Sequence, residues 1–162
     1  MNAVKKLRIT LAGMFLCLFL FLALSKGRGT REDLDLQALS QEMLQLMSDG
    51  GSIQAEGAMK LKSLYGLAAN DYRQAVLYVP VSNMDAAELL LIRCRDESQT
   101  EQVRAAMERR IEEQIGKFES YGVEQMAIIN KAVVDIQGPW CLYVVSRSSE
   151  EVEDLFVTSV RK

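Results

Sequence analysis

The residues that could do chemistry are few. The 162-residue chain has no histidine, which removes the commonest general base and the commonest metal ligand together. Its three cysteines, Cys17, Cys94 and Cys141, form no C-x-x-C pair, so neither a zinc knuckle nor a thioredoxin-type couple can be built. Glycine-rich phosphate cradles, a G-x-S-x-G elbow and carboxylate metal loops are absent. The adjacent acids Glu112 and Glu113 fall in a helical pattern, where neighbours point about 100° apart and cannot converge on one site. Glu150 and Glu151 head the last helical pattern, and capping with the helix dipole explains them. No catalytic residue, cofactor or metal is expected.

What remains is polar and aromatic chemistry in two non-periodic segments, "PVSNMDA" and "SYGVEQM". Asn83, Glu124 and Gln125 offer hydrogen-bonding handles, and Met84 and Tyr121 offer flat or adaptable apolar surface. The same residues also serve as ordinary turn and cap chemistry. These five are the candidate contact surface.

The elements that must position them begin after residue 25. Residues 1–25 contain Lys5, Lys6 and Arg8, no acid, and the uncharged run Ile9 to Leu24. As a helix that run rises about 24 Å, a little less than the roughly 30 Å hydrocarbon core. Flanking lysines can make up the difference by snorkelling. The run is read as a retained signal-anchor with the rest of the chain outside the cytoplasmic membrane. Cleavage at Ala23-Leu24-Ser25 and secretion is the alternative. A lipobox is excluded, because Met14-Phe15-Leu16 precedes Cys17 where small residues are required.

Residues 26–33, "KGRGTRED", read as a linker, and residues 34–162 as one extracytoplasmic domain. Residues 26–162 carry 16 Lys and Arg against 22 Asp and Glu, with the cations scattered. That balance argues against nucleic acid as a partner.

Within the domain, Leu36, Leu39, Met43, Leu46 and Met47 mark one face of a helix capped by Asp35 and ended by Gly50. "AEGAMKLKSLYGL" reads as a second helix stopped by Gly66. Strands "QAVLYVPV" and "ELLLIRCR" follow, the second with one wet face because Arg93 and Arg95 alternate with Ile92 and Cys94. Ser98 and Glu101 form a capping box for a long helix striped by Val103, Met107, Ile111, Ile115 and Phe118, with Gly122 as its stop. "EQMAIINKA" adds a helical turn or two. "AVVDIQ" and "WCLYVVS" are strands about the turn Gly138-Pro139, and a second box, Ser148 with Glu151, opens a last helix burying Val152, Leu155, Phe156 and Val160.

Strand–strand–helix thus occurs twice. The expectation is an α+β domain: a four-stranded antiparallel sheet from a duplicated β-β-α unit, helices packed on one face, preceded by two N-terminal helices. Cys94 and Cys141 fall on different strands and are read as two separately buried thiols, with a disulfide the alternative. Met43, Met47, Met59 and Met107 are read as core filling rather than metal ligands.

"LYGLAANDY", "SNMDAAELLLIRCRDESQTEQV", "RIEEQIGKFESYGVEQ", "NKAV" and "YVVS" resemble a family catalogued as domain of unknown function 4358. The likeness runs from about residue 34 to the C-terminus. It implies the fold and an extracytoplasmic placement, since members are small exported proteins of Gram-positive anaerobes, many of them lipoproteins. No activity and no catalytic residue come with it. This chain departs from the lipoprotein members in lacking a lipobox, and in having Pro139-Trp140-Cys141 where a plainer Asn-Tyr-hydrophobe turn is common.

The expected function is a membrane-tethered, non-enzymatic binding or scaffolding module of the bacterial cell envelope, a monomer with an envelope-protein or cell-wall partner. The alternative is a secreted envelope hydrolase relying on Asp and Glu alone, which would need two facing carboxylates.

Overall fold

A computed structural model describes residues 30–31, 33–47, 53–120 and 122–161. The anchor run, most of the linker, Gly50 and Tyr121 lie outside the described residues. Among the described residues no helix is long and apolar enough to cross a membrane.

The chain runs α1 (Leu36–Leu46), β1 (Ile53–Glu56), α2 (Ala58–Tyr65), β2 (Gln74–Pro80), β3 (Glu88–Arg93), α3 (Thr100–Phe118), α4 (Val123–Ile129), β4 (Val133–Gln137), β5 (Trp140–Val145) and α5 (Ser149–Val160). Every strand pairing is antiparallel, and the sheet order is β1-β2-β3-β5-β4. The α+β class and the two hairpins stand as read. The sheet has five strands, not four. β1 is the addition, and it pairs Ile53 with Pro80 through Glu56 with Leu77. Four residues at a sheet edge carry too little alternation to announce a strand.

A second correction concerns the layers. Leu77, Val79, Leu90, Ile92, Cys141, Tyr143 and Val145 pack with α2, α3 and α4 in one core. Tyr78, Leu89, Leu91, Trp140, Leu142 and Val144 pack with α1 and α5 in another. Successive strand side chains point to opposite faces, so helices cover both faces, not one. β3 and β5 are consequently buried on both sides. A rotation laying β2–β3 onto β4–β5 preserves the faces of the sheet, yet α3 and α5 lie on opposite ones. The two β-β-α units share a pattern and are not structural copies.

Local chemistry fixes the ends. Asp35 accepts from the N–H groups of Gln37 and Ala38 at the start of α1. The hydroxyl of Tyr78 takes hydrogen bonds from the amide nitrogens of Gln37 (2.9 Å) and Gln41 (2.7 Å), which pins α1 to β2. Gly66, at φ 72°, closes α2 in the left-handed region that glycine enters at least cost.

The two expected capping boxes do not form. Asp96, rather than Ser98, caps the 3-10 turn Glu97–Gln99 before α3, and the Ser98 hydroxyl donates to Asp96. At α5 the Ser148 side chain makes no cap bond, and Ser149 Oγ accepts from Ser146 N instead. Short polar side chains satisfy backbone N–H groups of the turns before each helix instead, Asp96 that of Ser98 and Ser149 that of Ser146. Gly122 does not stop α3, which ends at Phe118; Gly122 precedes α4.

Candidate functional site

The sequence-selected residues divide. Met84, Glu124 and Gln125 are brought together around one hollow of about 320 Å³, completed by Phe118, Gly122 and Val123. Asn83 is exposed in the β2–β3 connection but does not line it. Tyr121 lies outside the described residues.

Two segments far apart in sequence build this hollow. In the β2–β3 connection, Met84 N donates to Ser82 Oγ (3.1 Å) and Ala87 N to Asp85 Oδ1 (3.2 Å), so short polar side chains hold the turn from within. The opposite wall is the α3–α4 corner, where Gly122 N donates to Phe118 O (2.8 Å). A Cβ at Gly122 would meet the Phe118 ring at 2.8 Å, so the corner closes only without a side chain. Gln125 ties the walls together, its Oε1 accepting from Ala86 N at 2.9 Å. The lip is apolar and open: Met84 is 60% exposed and Val123 84%. Glu124 is exposed beside them.

Directly after Ala86 and Ala87, the chain enters β3 at Glu88, a carboxylate with no solvent exposure. Burying a charge is costly unless donors replace its water. Here Arg110 Nη2 donates to Oε2 (2.8 Å), Gln114 Nε2 donates to Oε2 (2.7 Å), and the Tyr65 hydroxyl donates to Oε1 (2.5 Å). Gln114 Nε2 also reaches the Tyr143 hydroxyl at 3.3 Å. The carboxylate thereby joins α2, β3 and α3, and Gln114 extends the network to β5. Burial would lower the Arg110 pKa, but the Glu88 hydrogen bond and charge reverse that and raise it. Desolvation first, then the charge of Glu88, holds the Tyr65 and Tyr143 hydroxyls well above the ordinary tyrosine value.

None of these five residues was singled out from the sequence. The wet face expected for the second strand is confined to its end: Arg95, just past β3, is exposed, but Leu89 and Leu91 are buried and Arg93 lies over the Trp140 ring, 4.8 Å from its centroid. A signal was present in α3, where Gln114 falls on the same helical stripe as Met107, Ile111 and Phe118. A polar residue on a buried stripe needs a buried partner.

Two further expectations are settled by position. Met43, Met47 and Met107 are core residues, but Met59 is 89% exposed. It lines a second hollow, of about 460 Å³, with Ala58, Lys62, Ala68, Ala69 and Asn70. The ammonium there, on Lys62, is engaged with Gly66 O at 3.2 Å. Cys94 and Cys141 are both buried free thiols, as read, with their sulfurs 3.8 Å apart. Their mutual hydrogen bond holds the Cys94 thiol below its ordinary pKa and pushes the Cys141 thiol up. Among the described residues no three His, Cys, Asp or Glu side chains gather into a metal site.

No significant match is found among curated proteins or solved structures. A family model does match, over residues 47–146, which includes both walls of the hollow and all five residues of the Glu88 network. The chain belongs to the family described as domain of unknown function 4358.

Proposed function

We propose that this chain is an extracytoplasmic binding or scaffolding module of the bacterial cell envelope, tethered by its first 25 residues, and that the hollow beneath Met84 and Val123 is its contact surface. The observation that carries this reading is the pairing of an open apolar lip with rigid walls. Met84 and Val123 stand exposed, while Gln125 and the Glu88 clamp fix the segments that carry them. Exposed apolar groups on a fixed frame lose little conformational entropy on binding, which favours recognition. Glu124 on the rim adds a preference for partners bearing a cation.

The carboxylate inventory favours binding over hydrolysis. Glu88 is the one fully buried acid among the described residues, and its oxygens are occupied by Arg110, Gln114 and Tyr65. An acid so clamped and so buried lacks the access to a substrate that general acid catalysis requires.

Two measurements test the proposal. A C-terminal epitope on the full chain should stay with membranes through an alkaline carbonate wash and be cut by protease in cells stripped of their wall. An epitope protected in stripped cells contradicts the placement. Full chain in detergent should retain an envelope component that the Met84→Asp, Val123→Asp double variant retains at least about tenfold less, equivalent to 1.4 kcal/mol of lost contact. Equal retention by a variant with unchanged circular dichroism contradicts the surface.

A further inference from the structure

β3 and β5 are adjacent interior strands, and each is buried on both faces. In their register Ile92 lies opposite Cys141, and Cys94 N donates to Pro139 O at 2.8 Å, which carries the pairing past the end of β3. Cys94 and Cys141 are therefore diagonal neighbours across an antiparallel pair. Residues 92 and 94 share a face, so both thiols enter the same core, where Val103, Met107 and Tyr72 also pack. The sulfurs are in van der Waals contact at 3.8 Å, each on a side chain with no exposure. A disulfide requires a separation of about 2.05 Å, so closing the bond draws the sulfurs together from 3.8 Å, with the backbone of the diagonal pair drawing in as they do. Backbone register sets the two residues one step off opposition, on the same face.

From this juxtaposition we infer that Cys94 and Cys141 form a cross-strand disulfide when the chain folds under oxidising conditions, joining the first hairpin to the second.

The chemistry balances through an external disulfide as oxidant. The thiolate of one cysteine attacks that disulfide, forming a mixed disulfide and releasing one thiol. The second cysteine, deprotonated, attacks the mixed bond at the protein sulfur and releases the second thiol. Two electrons pass to the oxidant's sulfurs, and the two protons end on the released thiols. Neither sulfur is exposed in the folded domain, so the exchange takes place during folding, once β3 and β5 have paired and before Val103 and Met107 of α3 pack over the two thiols. Burial then shields the bond from reductants for the same reason.

The cross-link spans 47 residues of sequence, including all of α3, α4 and β4. A loop of that length removes substantial entropy from the unfolded chain, and the thermal midpoint should rise by about 10 °C. The bond depends on the redox buffer and the register alone, so it stands or falls separately from the contact surface.

The test uses the full chain with its native cysteines, reduced in denaturant and refolded in detergent with a glutathione–glutathione disulfide mixture. Remaining thiols are alkylated after denaturation without reductant, and the digest is mapped by mass spectrometry. The expected result is one linked peptide pair carrying Cys94 and Cys141, alkylation at Cys17, and a midpoint about 10 °C above the reduced protein. Full alkylation of Cys94 and Cys141, or either of them linked to Cys17, overturns the inference.

Discussion

Arg110 places a guanidinium nitrogen 2.8 Å from a carboxylate oxygen of Glu88, the one charged side chain that is fully buried among the described residues. The pair is offset in exposure, the Arg110 side chain keeping 18% of its surface in contact with solvent. The arrangement lets a cation enter from the edge of α3 and hold an anion at the mouth of β3. It anchors the strand where the β2–β3 connection, and with it Met84, leaves the sheet.

Removing the cation alone should be severe. Arg110→Met leaves Glu88 buried without its counter-charge and is expected to cost about 3–5 kcal/mol. The double variant Glu88→Leu, Arg110→Met removes both charges and should recover most of that loss. Urea unfolding of the four proteins in a double-mutant cycle reads the difference. A double variant as unstable as Arg110→Met would mean that the remaining partners, Tyr65 and Gln114, dominate the network.

Stability should decline in alkali. Tyr65 and Tyr143 are held well above the ordinary value of 10 by burial and by Glu88, and burial pushes Tyr72 up to about 12. Above pH 10 the unfolded chain loses these protons first, so it binds fewer than the native state and unfolding is favoured as pH rises. Their contribution is intact below pH 10 and is lost progressively above it, for Tyr72 up to about pH 12. Denaturant titrations between those limits should show Tyr72→Phe with a shallower pH slope than the parent. Identical slopes would place the alkaline sensitivity elsewhere.

The α3–α4 corner should reject a side chain. Gly122 has a φ of −102°, open to any residue, so backbone strain is not the obstacle. The obstacle is the Phe118 ring, 2.8 Å from the position of an added Cβ. Gly122→Ala should cost about 1–3 kcal/mol as overpacking. It should also speed amide exchange at Ala86, whose N–H is held by Gln125 across the hollow. Unchanged exchange would mean that the corner does not support the opposite wall.

The sequence was most readable where one physical signal acted alone. The stripe of Leu36, Leu39 and Met43 places α1, and the turn between Gln137 and Trp140, with Gly138 at φ 55°, places the β4–β5 hairpin. It was least readable where charge and hydrophobicity conflict locally and are reconciled only by distant partners. Arg93 looks like a solvent-facing residue until Trp140 is beside it, and Glu88 like a strand-end charge until Arg110 and Gln114 arrive from another element. The same holds for layering. β3 and β5 bury apolar side chains on both faces, but nothing local says that α5 takes the face opposite α3. At the candidate surface, residue type alone marked Met84, Glu124 and Gln125. That Phe118 and Gly122 complete the hollow depends on how α3 ends, which its periodicity does not reveal.

The central claim is that Met84, Val123 and Glu124 form the working face, and site-specific photo-cross-linking tests it most directly. A photoreactive residue is placed at Val123 in the full chain in living cells, and at Met59 in a parallel strain. Both positions are open and apolar, at 84% and 89% exposure, so chance collisions with neighbours should be similar. The account predicts a discrete adduct from position 123 that Met84→Asp abolishes, with only diffuse background from position 59. A discrete adduct from 59 and none from 123 would contradict it, and would move the working face to the hollow beside α2.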